Sequence, residues 1–257
     1  MKLTNKITTL ATAAGLALAA GTASAAVTYG GSFQSWNANN TTNTSNFIRT
    51  GSGFDASGFD KLVVVATSEN GNNGTGGSVD TMTYDGVAMT LAGVSAGEAG
   101  NITFTSIWYL DNPGTTAGVI ATTGNNRIAG TAFGLNGTAL GIGNTVSVKG
   151  VYTSSLVTSA GSMVISSLGM GGAGNNADVN NATPNTGTKI DGEEFGNNWA
   201  GHVAAYDAAG GGTYAFTDTS PTNDVGLVGV EFTMIPEPST TALLGLGGLA
   251  LILRRRK

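Results

Sequence analysis

Met82-Thr83-Tyr84-Asp85-Gly86-Val87-Ala88-Met89 is the stretch on which the fold turns. Asp-Gly tolerates the positive φ angles of a type I′ turn, and alternating residues flank it, so the segment predicts a two-residue β-hairpin. Outward from it, short runs rich in β-formers recur between clusters of Gly, Asn, Ser and Thr. They cover 62–66, 79–84, 87–92, 102–110, 119–123, 146–152, 163–168, 202–206, 214–217 and 227–234. No segment between the two termini carries a capped apolar pattern of helical period. Many short strands with frequent turn signals predict an all-β fold, an antiparallel β-sandwich of jelly-roll type. Residues 69–77 and 169–189 read as long loops. No internal repeat of fixed period is visible, which disfavours solenoids and propellers.

Composition narrows the function classes. With 11% charged residues and 41 Gly in 257 residues, a coiled coil or charged helical array is ruled out. The absence of Cys removes disulfides, thiolate nucleophiles and Cys-ligated metals. The whole chain carries a formal charge of −5, but the residues between the two terminal segments hold five bases (Arg49, Lys61, Arg127, Lys149, Lys189) against fifteen acids, a net −10. Such a surface argues against nucleic acid as a partner.

The ends have a different character. Lys2 and Lys6, an uncharged apolar stretch over 7–20, and Ala23-Ser24-Ala25 follow the order of a secretory signal peptide, with signal peptidase cutting after Ala25. At the other end, Ile235-Pro236-Glu237-Pro238 stops the last strand, since Pro238 and Pro236 cannot donate backbone hydrogen bonds. Residues 240–253 are uncharged and apolar and predict a short hydrophobic helix. Its roughly 21 Å falls short of a bilayer core about 30 Å thick. Arg254, Arg255, Arg256 and Lys257 follow directly as a membrane stop that stays on the cytoplasmic side.

Ile235-Pro236-Glu237-Pro238-Ser239-Thr240, the apolar run and the terminal Arg-Arg-Arg-Lys together resemble a PEP-CTERM sorting signal. That resemblance implies export through the inner membrane of a Gram-negative bacterium and a transient stay there. Processing would be by an exosortase, a membrane-embedded cysteine protease that recognises Pro236-Glu237-Pro238. The processed form would reside at the cell surface or in the extracellular matrix, with exopolysaccharide as an associated partner. Residues 79–89 with Trp108-Tyr109-Leu110-Asp111-Asn112-Pro113 also resemble a module of large secreted bacterial surface proteins, which implies a sandwich fold and assigns no activity. The organisation expected is therefore a signal peptide at 1–25, a secreted β-sandwich at 26–234 and a sorting signal at 235–257.

Motifs with chemical potential are few. Gly93-Val94-Ser95-Ala96-Gly97 fits the G-x-S-x-G nucleophile elbow, with His202 downstream as the sole histidine. The mechanism needs a strand-to-helix turn, no helical pattern follows, and a chain this rich in Gly yields about 0.5 such matches by chance. Gly169-Met170-Gly171-Gly172-Ala173-Gly174 fits G-x-G-x-x-G but likewise opens no helix. Asp178, Asn180, Asp191, Glu193 and Glu194 offer hard oxygens for a calcium ion, the sole cofactor candidate, with Asp178, Asp191 and Glu193 foremost. Glu193 and Glu194 make a poor acid/base pair, because consecutive strand positions face opposite ways. Trp36 and Trp199 lie among Asn and Gly and are the candidates for stacking on sugar rings, whereas Trp108, beside Ile107 and Leu110, reads as core. These observations predict an exported, non-catalytic protein with a structural or adhesive role. The alternative is a carbohydrate-binding module.

Overall fold

The computed structural model describes residues 26–39, 47–50, 53–69, 79–96, 103–114, 116–117, 119–123, 127–171, 182–195, 200–208, 212–218 and 224–235. Every regular element among them is a β-strand and every pairing is antiparallel. The signal helix and the C-terminal hydrophobic helix expected from sequence lie outside the described residues. Residues 26–234 form one compact unit.

Its first half contains β1 (Thr28–Asn39), β2 (Phe47–Thr50), β3 (Phe54–Asp55), β4 (Lys61–Glu69), β5 (Thr81–Tyr84), β6 (Val87–Ala88), β7 (Thr90–Ala96), β8 (Thr103–Asp111), β9 (Thr116–Ala117), β10 (Val119–Thr123) and β11 (Arg127–Asn136). The second half contains β12 (Thr145–Lys149), β13 (Thr153–Leu156), β14 (Met163–Gly171), β15 (Ala182–Pro184), β16 (Thr188–Phe195), β17 (Ala200–Asp207), β18 (Gly212–Asp218) and β19 (Asp224–Phe232). Residues 169–189, expected as one loop, are strand at both ends and carry β15 between. The predicted hairpin is present. Asp85 and Gly86 have φ of 50° and 74°, and Tyr84 pairs with Val87.

The two halves repeat one topology. The first half has an inner sheet in the order β1-β11-β4-β8-β7, and the second half one in the order β12-β19-β14-β17-β16. Matching β1, β2, β4, β5, β7, β8, β10 and β11 to β12 through β19 in sequence makes these orders identical. The outer sheets then also agree, as β2-β10-β5 and β13-β18-β15, with β6 added at one edge. Even the irregularities correspond: a register shift at Leu91/Gly93 in β7 matches one at Lys189/Asp191 in β16, and Thr90 opposite Tyr109 matches Thr188 opposite Tyr206. The repeat invisible in the amino-acid sequence is thus a repeat of strand order.

The inner sheets pack on each other reciprocally. β1 meets β16 as β12 meets β7, and β4 meets β17 as β14 meets β8, the pattern of an isologous interface within one chain. Val63, Val65, Ile107, Phe133 and Leu135 of one sheet interlock with Met163, Ile165, Val228, Val230 and Phe232 of the other. Tyr29 joins them, stacked on Tyr206 at 5.0 Å between ring centroids and edge-on to Phe133 at 5.9 Å. The far face of each inner sheet is covered as well. Met82, Tyr84 and Val119 sit over Leu62, Val64 and Trp108 in the first half, and Phe216 and Ala182 over Leu168, Val203 and Leu227 in the second. Double coverage explains why β4, β14 and β19 are buried at every position and read as near-continuous apolar runs rather than alternating ones.

Residues 137–144 join the halves and are held by Glu231. Its Oε2 accepts from Asn144 N at 2.9 Å and its Oε1 from Ser159 N at 2.6 Å, while Gly143 N donates to Glu231 O at 2.8 Å. Burial acts to raise this carboxyl, but the backbone donors of Ser159 and Asn144 outweigh it and hold it below the ordinary carboxylate value. Glu231→Gln turns an acceptor into a group that must present NH₂ to a backbone N–H, and is expected to cost about 2 kcal/mol in a urea melt at neutral pH. The folded form has the lower pKa, so this stabilisation is complete above the unfolded carboxyl's pKa and fades as pH falls through the folded one. The difference between wild type and variant should therefore shrink in acid.

Candidate functional site

Along β4, β8, β11, β14 and β17 the residues facing the opposing sheet change from apolar to polar. β4 passes from Val63 and Val65 to Thr67, β8 from Ile107 to Thr105 and Thr103, and β11 from Leu135 and Phe133 to Thr131. β14 passes from Ile165 to Ser167, and β17 from Tyr206 and Ala204 to His202. One pole of the inter-sheet space is therefore packed by side-chain shape and the other is joined by hydroxyls. Buried polar groups need partners, and three pairs here form across the gap. Thr105 Oγ1 meets Ser167 Oγ at 2.6 Å, Thr131 Oγ1 meets His202 Nε2 at 2.9 Å, and Thr103 N donates to Asp224 Oδ2 at 3.3 Å.

His202 is the centre of this polar pole and is completely buried. Ser35 Oγ stands 3.1 Å from Thr131 Oγ1, and both hydroxyls donate to Asp191 Oδ2, which ties β1, β11, β16 and β17 into one network. With Thr131 donating to Asp191, its oxygen accepts from His202 Nε2–H, which leaves Nδ1 as the bare nitrogen. No described residue reaches Nδ1. Burial drives the pKa of His202 down to about 4, against an upward pull from Asp191 and with a further downward push from Lys189. The imidazole is thus neutral at physiological pH.

The sequence candidates fall unevenly on this frame. Ser95 lies within β7, where its hydroxyl donates to Val148 O across the two halves, and His202 bonds Thr131. The strand geometry replaces the sharp turn that a nucleophile elbow requires. Trp36, expected as an exposed stacking platform, is 5% exposed and belongs to the core with Leu62, Trp108 and Ile128. Its burial withdraws it from sugar stacking, and the Asn-rich surroundings misled because they flank a strand whose indole points inward. Trp108 is core as expected, its Nε1 donating to Ser106 Oγ at 3.0 Å. Of the calcium candidates, Asp191 is engaged by Ser35 and Thr131, and Glu193 stands opposite His202 in the β16–β17 register. Among the described residues no group of three or more metal-ligating side chains is assembled. Asp178, Trp199, Ala23, Ala25, Pro236, Glu237, Pro238 and the Arg254–Lys257 cluster lie outside the described residues. Sequence reasoning missed Ser35, Thr131, Thr105 and Ser167; their signal is a hydroxyl interrupting an otherwise apolar strand face.

Residues 235–257 match the family model described as the PEP-CTERM protein-sorting motif. The tail therefore marks the chain for export and for exosortase-mediated sorting to the surface. No curated protein and no solved structure matches the chain.

Proposed function

We propose that this protein is a structural or adhesive, non-catalytic component of the cell surface or extracellular matrix. It is delivered by signal peptidase at its N-terminus and an exosortase at its C-terminus. The observation that carries the reading is the sorting motif at 235–257. The strand order supports reading 26–234 as two eight-stranded jelly rolls joined through their inner sheets. A buried neutral imidazole bonded to a threonine, and a serine hydroxyl given to a backbone carbonyl, support a scaffold rather than a reaction centre. Val27 N donates to Gly161 O, and Thr138 bridges Met234, so both chain ends of the compact unit leave from its apolar pole.

The test is fractionation of cells with and without the exosortase, together with a variant carrying Pro236→Ala, Glu237→Ala and Pro238→Ala. Surface or matrix material is expected from wild type alone, while both the protease-deficient strain and the variant retain a membrane-associated form that keeps residues 235–257. Equal surface yield from all three would overturn the delivery route. Turnover of an ester or glycan panel by the purified surface form would overturn the non-catalytic role.

A further inference from the structure

We propose that Lys61 and Asp111 form an intramolecular amide cross-link. Lys61 opens β4 and Asp111 closes β8, and the two are directly opposed in register. The Lys61 ammonium nitrogen contacts Asp111 Oδ1. Its surroundings are unusual for a lysine. The side chain has 0% exposure, and Nζ lies 4.8 Å from the Tyr109 ring centroid and 5.9 Å from that of Phe232. Lysine is almost never fully buried, because removing an ammonium from water is costly even beside a carboxylate. One proton passed from Nζ to the carboxylate it touches turns the pair into the amine and the acid from which an amide is made. A neutral, desolvated lysine amine held against a carboxyl is a nucleophile in reach of an electrophile.

The remaining parts are in place. Attack of Nζ on Cγ of Asp111 places developing charge on Oδ2, and Gly141 N–H already donates to that oxygen at 3.1 Å, as an oxyanion donor should. The neighbouring backbone is fixed by Asn112 N donating to Asp60 O at 2.8 Å and by Asp60 Oδ2 accepting from Gly137 N at 2.6 Å. The new Nζ–Cγ bond forms as the Cγ–Oδ1 bond breaks. Oδ1 departs as water with the proton it carried and one taken from the amine, so the reaction is Lys–NH₂ plus HOOC–Asp giving the amide plus water. No oxidant, metal or cofactor enters. Asp111 is 28% exposed, which gives the water an exit, while the rings over Nζ keep bulk solvent from the product. The bond would close a segment with a sequence separation of 50 in a chain with no Cys for a disulfide. It constrains the unfolded chain as a disulfide does, by a bond that reductants do not cleave.

Trypsin reads the bond out. Residues 62–126 contain neither Lys nor Arg, so an uncross-linked chain yields peptides 50–61 and 62–127 after denaturation. The amide removes the charged lysine that trypsin needs at position 61. The full-length purified protein is expected to give a single 50–127 peptide lighter than its sequence by one water, with fragment ions joining Lys61 to Asp111. Recovery of two peptides at full mass overturns the proposal, as does blocked cleavage without water loss or water loss with cleavage intact. Lys61→Arg should restore cleavage at position 61 and full peptide masses. Asp111→Asn should still cross-link but expel ammonia instead of water, an outcome no ion pair produces. Should either variant fail to fold, the wild-type digest decides alone.

Discussion

Trp36→Ala is expected to lower the free energy of unfolding by about 3–5 kcal/mol, the range for truncating a buried tryptophan. The indole belongs to the core of the first half and lies flat on the β11 backbone. A Cβ added at Gly130 would stand 2.2 Å from Trp36 Cζ2 and 2.5 Å from Cη2, so the glycine is there to let the ring approach. Gly130→Val attacks the same contact from below and should cost about 1–3 kcal/mol through overpacking. Because both changes act on one contact, their effects should not add: the valine fills part of the space the missing indole leaves, and the double variant should be more stable than the sum predicts. Guanidinium melts of the three variants measure this. A Trp36→Ala protein within about 0.5 kcal/mol of wild type would show the ring to be peripheral, and would return it to the set of binding candidates. On the present structure, any loss of glycan binding in Trp36→Ala would report unfolding.

The difference between what could and could not be foreseen has a local physical origin. The Asp85-Gly86 hairpin was legible because a two-residue turn with positive φ is written in two adjacent residues. Beyond it the reading fails at Met89, whose N–H returns to Met82 O at 2.8 Å before the chain changes sheets. The single run expected over 87–92 is therefore two strands, β6 in an outer sheet and β7 in an inner one. β11 was missed because Gly130 and Gly134 depress β-propensity, yet both are small for the benefit of rings packed over them, those of Trp36 and Phe59. Such reasons are tertiary, and a chain read residue by residue does not contain them. Lys61 is the same problem in charge: nothing in Lys61-Leu62-Val63-Val64-Val65 names a partner for the base, and only pairing with β8 brings Asp111 beside it. The sorting tail is the opposite case. Its three elements are consecutive in sequence, and no folding is needed to read them.

Acid is expected to weaken this protein through His202, and in a defined window. The folded-state pKa is about 4, below the 6.5 of a free imidazole, so between those values the unfolded chain binds the proton that the folded chain refuses. Stability contributed by the neutral ring is complete above pH 6.5 and falls as pH drops toward 4, by as much as about 3 kcal/mol at the bottom of the window. The groups around the ring do not reverse this: Asp191 favours the imidazolium, Lys189 opposes it, and desolvation outweighs both. His202→Gln keeps an N–H for Thr131 Oγ1 and removes the titration. Its urea midpoints should stay flat from pH 7 to 5 while those of wild type decline, with the fall common to both at lower pH belonging to carboxylates such as Glu231. Parallel pH profiles for the two proteins would show that the ring is not the group responsible. If the profiles diverge, the weakness also has a place. A proton on Nδ1 puts a fully buried charge between β11 and β17, the strands through which Thr131 and His202 join the two halves. At pH values above those at which Glu231 takes up its proton, acid should therefore expose amides along that seam to hydrogen exchange before it exposes those of the apolar pole, where Phe133, Val230 and Phe232 pack together with no imidazole between them.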